Sequence, residues 1–131
     1  MSYMDDSIDW QAIRNIDEWL DENVGKEYQG QPLAQDWARI SKVGEELGEA
    51  IQAFIGVTGQ NPRKGRTHIT EEVMNELADV VFTAILAIQH FTKDTAKTSD
   101  ILRRKLTTIE ARVLTKRSGD NEFSQPLPGV G

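Results

Sequence analysis

Three observations on these 131 residues predict an all-α protein of four helices. Apolar residues recur at intervals of three and four in four separate stretches. No stretch alternates with the period of two that a half-buried strand would show, and there is no internal repeat. Segments bearing glycine or proline fall between the periodic stretches, where helices must stop.

In chain order, Ser7 is a candidate cap for a first helix to about Asn23, with Ile8, Ile13, Ile16, Trp19, Leu20 and Val24 as its apolar stripe. Gly25 is a stop signal, and residues 25–34 read as a loop around Gly30 and Pro32. A second helix is predicted from about Ala34 to Val57. Its stripe of Trp37, Ile40, Gly44, Leu47, Ile51 and Ile55 reads as the core-facing side. Residues 56–67 are turn-rich. A third helix then starts at Thr70, read as its cap, with Glu71 and Glu72 suiting the positive end of its dipole. From Val73 to Ile88 that helix is apolar nearly all round, the mark of a buried helix, yet Glu72, Glu76, Asp79 and Thr83 form a narrow polar stripe along it. After a connection at Thr92–Thr98, Ser99 reads as the cap of a last helix to about Arg117, with Leu102, Leu106, Ile109 and Val113 as its stripe. Residues 1–117 are thus one domain. Residues 118–131, with three glycines and two prolines, read as a disordered tail.

The net charge of −6 argues against broad binding to nucleic acid or anionic membranes. It is unevenly spread: residues 1–60 carry 12 acids and 4 bases, residues 61–131 carry 9 and 11. An acidic first half facing a basic second half would suit a metal cluster beside a phosphate-binding surface, although solvated faces account for most such charges. With no cysteine, disulfides and thiolate metal sites are excluded. The N-terminal residues lack the pattern of a signal peptide and no stretch is apolar enough to span a bilayer, so a cytoplasmic location is expected.

The chemistry lies in the middle third. Glu46 and Glu49 are spaced i,i+3, as are Glu76 and Asp79. On a helix such a pair lies about 60° apart around the axis and roughly 4.5 Å apart along it, so both can reach one ligand. Glu46 precedes the turn-rich connection by about as far as Asp79 follows it, and Glu49 and Glu76 match in the same way. An antiparallel hairpin would bring all four carboxylates to one level. Crowded, partly buried acids stay ionised only beside something positive, and oxygen-only ligation favours Mg²⁺ or Mn²⁺ over zinc. On the second helix alone, Glu46 and Glu49 read equally as a solvated face with a Lys42–Glu46 pair; acids on the buried third helix demand partners.

Glu46-Leu47-Gly48-Glu49, followed by Glu76-Leu77-Ala78-Asp79, resembles the ExxE…ExxD signature of the MazG-like all-α nucleoside triphosphate pyrophosphatases. The neighbouring Val-Gly-Glu-Glu-Leu-Gly-Glu-Ala and Glu-Leu-Ala-Asp-Val-Val carry the same resemblance, which covers roughly residues 34–115. It implies a four-helix MazG-like bundle completed by oligomerisation as a dimer or dimer of dimers. The third helix agrees: its apolar circumference exceeds what four short helices can cover and predicts an obligate homo-oligomer, tetramer favoured over dimer. The resemblance also implies Mg²⁺-dependent cleavage of a (d)NTP to the monophosphate and pyrophosphate. Glu46, Glu49, Glu76 and Asp79 carry over as metal ligands and Glu45 as a candidate general base. Basic residues near the last helix are implied as phosphate contacts; Lys105 and Arg112 fit by type and place, and Lys42 stands as a further phosphate contact or an ion-pair partner. Arg63, Lys64 and Arg66 in the connection could also meet a triphosphate, but read rather as a mobile basic loop. Of Trp10, Trp19 and Trp37, candidates to stack on a base, Trp37 reads first as core packing. His68 and His90 have no partner at ligand spacing. A di-iron bundle would need Glu-x-x-His, which neither histidine provides. The alternative is a non-catalytic helical oligomerisation or regulatory module that retains a metal site.

Overall fold

The computed structural model describes residues 7–23 and 25–119. Four α-helices account for most of them: α1 (Trp10–Asn23), α2 (Pro32–Thr58), α3 (Thr70–Thr92) and α4 (Thr95–Gly119), with a 3₁₀ turn at Gly25–Tyr28 before α2. No strand occurs among the described residues. The tail expected to be disordered lies outside the described residues from position 120 onward.

Helix ends follow local chemistry, and several differ from the sequence reading. Asp9, not Ser7, caps α1: its Oδ1 accepts the Ala12 N–H at 3.0 Å. Helix α2 starts at Pro32, whose fixed φ and missing N–H suit a first turn. It ends at Gly59, whose φ of +69° lets its N–H reach the Ile55 carbonyl at 3.0 Å. Thr70 is the first residue of α3 rather than its cap, because the Glu72 carboxylate turns back to accept the Ile69 N–H at 3.1 Å. That removes Glu72 from the acidic stripe. Asp94 starts α4 five residues earlier than Ser99 would, its Oδ1 accepting from Ala96 and Lys97. At the same corner the fully buried Thr98 hydroxyl donates to Gln89 Oε1 at 2.7 Å, locking α4 to the end of α3.

The hairpin α2–α3 is the body of the molecule. Its cross-contacts run in opposite chain directions, Asp36 with His90, Arg39 with Leu86, and Glu46 with Glu76, so the helices are antiparallel. The buried residues of α2 are Glu46, Ala50, Ala53 and Gly56. This corrects the expected facing of α2: Trp37, read as core, is 70% exposed, and Ile40, Leu47, Ile51 and Phe54 are also open. Small residues let α2 and α3 approach closely on the acidic side, and the large apolar side chains are left outside. Met74, Leu77, Val81 and Phe82 of α3 are open as well, as are Leu106, Ile109 and Val113 of α4. No helix among the described residues is long and apolar enough to cross a membrane.

Helix α1 is fastened to the hairpin by charge. Asp17 sits on the apolar stripe between Ile13 and Leu20 and is 3% exposed. It accepts from the Arg39 guanidinium at 3.0 Å and from Lys93 Nζ at 3.0 and 3.2 Å. Asp21 takes both cations as well, Arg39 at 3.0 Å and Lys93 at 2.6 Å. Burial alone would raise the Asp21 carboxyl, but Lys93 and Arg39 outweigh it and hold the group below its ordinary value.

Candidate metal centre

The hairpin register brings Glu46 and Glu49 of α2 to the level of Glu76 of α3. One carboxylate oxygen from each of these three lies within 4.8 Å of the others. Glu46 is 9% exposed, and Glu49 stands at the open rim. The negative charge of Glu46 in particular pushes the Glu49 carboxyl above its ordinary value, with smaller contributions from Glu76 and Glu45. Glu76 Oε2 is buried and has no hydrogen-bond partner among the described residues. A buried carboxylate oxygen without a donor is unfavourable, and a cation at the convergence would satisfy it. The donor set is all oxygen, which suits Mg²⁺ or Mn²⁺. On these grounds the three residues fit a hard divalent cation.

Asp79 is not part of the convergence. It shares the level of Glu46, but its side chain is exposed and does not fall within the group of converging carboxylates. Thr83, on the same stripe, returns its hydroxyl to the Asp79 and Val80 carbonyls. Lys42 Nζ is 3.2 Å from Glu46 Oε1 and 3.2 Å from Glu45 Oε1. Those carboxylates, Glu45 first, raise the Lys42 ammonium above its ordinary value. Glu45 thus flanks the acids while tied to Lys42. Lys105 and Arg112 lie on the exposed part of α4, and within one chain they line none of the cavities around the acids.

Two cavities meet at this centre. One, of about 390 Å³, is walled by Leu20, Tyr28 and Ala38, with Gln35 and Arg39 among its polar groups, and it ends at Lys42 and Glu45. The other is an open cleft of about 460 Å³ over Glu45, Glu49, Gln52 and Glu76. Tyr28, not one of the three tryptophans, is the aromatic side chain in the first cavity. His68, without a ligand-spaced partner in sequence, forms part of the second. Only the folded connection reveals it: Gly56 has no side chain to keep the 59–69 segment away, and a Cβ there would collide with the His68 ring.

A second group, Asp17, Asp21 and His90, has metal-compatible spacing. Arg39 and Lys93 already neutralise both acids, and His90 Nε2 donates to Asp36 at 2.7 Å. It reads as a structural network. Asp17 on the α1 stripe was the available sequence signal, since an acid in an apolar row needs a buried partner.

Comparison of the chain with models of protein families, with curated proteins and with solved structures gave no match.

Proposed function

We propose that the chain is a Mg²⁺-dependent nucleoside triphosphate pyrophosphohydrolase, cleaving a (d)NTP to the monophosphate and pyrophosphate, and that it works as a homo-oligomer with tetramer favoured over dimer. The observation that carries this reading is the convergence of Glu46, Glu49 and Glu76 around the unpartnered Glu76 Oε2, between two cavities. The ExxE…ExxD resemblance supports it from the sequence side.

Glu46, Glu49 and Glu76 would hold the cation, with Asp79 at hand on the same helix for a further ion. Bound Mg²⁺ supplies neutralisation of the triphosphate and a more acidic attacking water. Glu45 is placed to take the proton from that water. The water oxygen then bonds to the α-phosphorus, the bond from that phosphorus to the α–β bridging oxygen breaks, and the electron pair leaves with pyrophosphate. Lys42 lies between the 390 Å³ cavity and the acids, where an ammonium can follow the α-phosphate. The nucleoside belongs in that cavity, against Tyr28 and Leu20.

The open apolar faces of α2, α3 and α4 favour association, because contiguous exposed apolar surface marks interaction sites. They suit equally the second reading, a non-catalytic oligomerisation or regulatory module. Turnover separates the two. With Mg²⁺ and a panel of canonical and modified NTPs, pyrophosphate and NMP should appear in equal amounts, and chelation or Glu49→Ala should abolish them. No turnover of any triphosphate, or release of NDP and orthophosphate, refutes the proposal.

A further inference from the structure

We propose that the recess between the last turns of α2 and the 59–69 connection binds the two terminal phosphates of the substrate and the pyrophosphate they become. The inference rests on the pyrophosphohydrolase reading and adds a binding subsite to it. The recess has a volume of about 250 Å³, and its walls carry the polar side chains of Gln52, Asn61, Lys64, Thr67 and His68 beside Ile55 and two glycines. Gln52 and His68 also line the cleft over the acids, so the two spaces adjoin across these residues.

The connection, expected from its composition to be a mobile basic loop, carries its own hydrogen-bonded turns. Gly59 and Gly65 adopt positive φ, and the Asn61 carbonyl accepts from Lys64 at 3.2 Å and from Gly65 at 2.9 Å. The Asn61 side chain closes the turn by accepting the Arg63 N–H at 3.1 Å. The Thr67 N–H donates to the Gly56 carbonyl at 2.9 Å, which seats the segment on bare α2 backbone. The Thr67 hydroxyl and His68 Nδ1 are 2.8 Å apart, which orients the ring and leaves Nε2 without a protein partner among the described residues.

Charge gives the recess its ligand class. Arg63, Lys64 and Arg66 form no ion pair among the described residues, although the chain is acidic overall. Lys64 in the wall and the Gln52 and Asn61 amides offer donors to an anion, and His68 Nε2 does so in the tautomer whose Nδ1 accepts from the Thr67 hydroxyl. Position gives the ligand itself. Along α2 the nucleoside cavity ends at Lys42 and Glu45, the metal acids follow at Glu46 and Glu49, and the recess begins at Gln52. At 1.5 Å rise per residue, Gln52 lies about 9 Å beyond Glu46. A triphosphate with its α-phosphate at the acids points its β- and γ-phosphates into the recess.

The test is calorimetric binding of pyrophosphate and, separately, of a nucleoside monophosphate to the full chain in Mg²⁺, which needs no turnover. Wild type is compared with Lys64→Ala, His68→Ala and His68→Gln. The inference predicts at least tenfold weaker pyrophosphate binding in the two alanine variants and partial recovery in His68→Gln. Monophosphate affinity should stay within twofold. Pyrophosphate affinity unchanged in both alanine variants, or equal loss for both ligands, overturns it. If wild type binds pyrophosphate in this residue-dependent way but hydrolyses no triphosphate, the recess stands as a pyrophosphate site and the pyrophosphohydrolase reading fails. If wild type turns over NTPs and the variants bind pyrophosphate like wild type, the recess alone fails.

Discussion

Replacing Asp17 by asparagine keeps the shape of a side chain that is 4% exposed and removes the charge that two cations share. Arg39, whose side chain is 12% exposed, would lose its most buried acceptor but keep Asp21 at 3.0 Å. Breaking a buried pair by removing one partner costs about 3–5 kcal/mol. The remaining Asp21 contact and the half-exposed Lys93 place this case at the lower end, about 3 kcal/mol. Unfolding entropy of about 2.1 cal/mol/K per residue over roughly 110 residues gives about 0.23 kcal/mol/K, so Tm should fall by about 13 °C. Circular dichroism at 222 nm, with protein concentration fixed because the chain is proposed to associate, measures it. Helix α1 also carries Leu20 and Asp21 of the cavity proposed to take the nucleoside, so KM for the triphosphate should rise at temperatures well below Tm. A fall under 3 °C, no larger than that from Glu18→Gln on the exposed side of α1, would refute the account of how α1 is held.

Three further outcomes follow from the same structure. Glu45→Gln should lower kcat about 10²–10⁴-fold with Mg²⁺ affinity nearly unchanged; unchanged kcat in steady-state assays would return Glu45 to the role of a surface acid paired with Lys42. Ile51→Glu, on the open face of α2, should dissociate the oligomer, because each 400 Å² of apolar contact is worth roughly 10 kcal/mol before association costs; light scattering with gel filtration reads it, and a folded, active wild-type species at 14.7 kDa would contradict the oligomer outright. In pH-dependent denaturation, Asp21 contributes stability above its ordinary 3.8 that is lost as pH falls through its lowered folded value, so the protein should weaken below about pH 4. Glu49 acts with the opposite sign, its raised carboxyl costing metal-free protein stability as pH rises from 4.5 through the folded value, and Mg²⁺ should remove that cost.

The helices and the hairpin level of the acids were legible because both follow from local periodicity and from a rise of 1.5 Å per residue. Equal spacing on either side of the turn-rich segment was enough to bring Glu46, Glu49 and Glu76 together. Rotation about each axis was less legible, and Asp79 therefore stands outside the cluster. The facing of α2 misled for a different reason: a stripe shows which side of a helix is apolar, not which side the fold buries. Trp37 and Ile51 are thus open while Ala50 and Ala53 are buried. His68 and the Asp17–Arg39–Lys93 network depend on contacts between distant parts of the chain, which no local pattern encodes, although Asp17 on an apolar stripe was a hint.

Mn²⁺ titration followed by electron paramagnetic resonance tests the three-carboxylate centre most directly, since it counts bound ions without requiring substrate. Wild type should bind Mn²⁺ in competition with Mg²⁺. Glu46→Gln and Glu76→Gln should each weaken binding at least tenfold, and Asp17→Asn should leave it unchanged because that acid belongs to the α1 network. Equal Mn²⁺ affinity in wild type and in a variant with all three of Glu46, Glu49 and Glu76 replaced by glutamine would contradict the account.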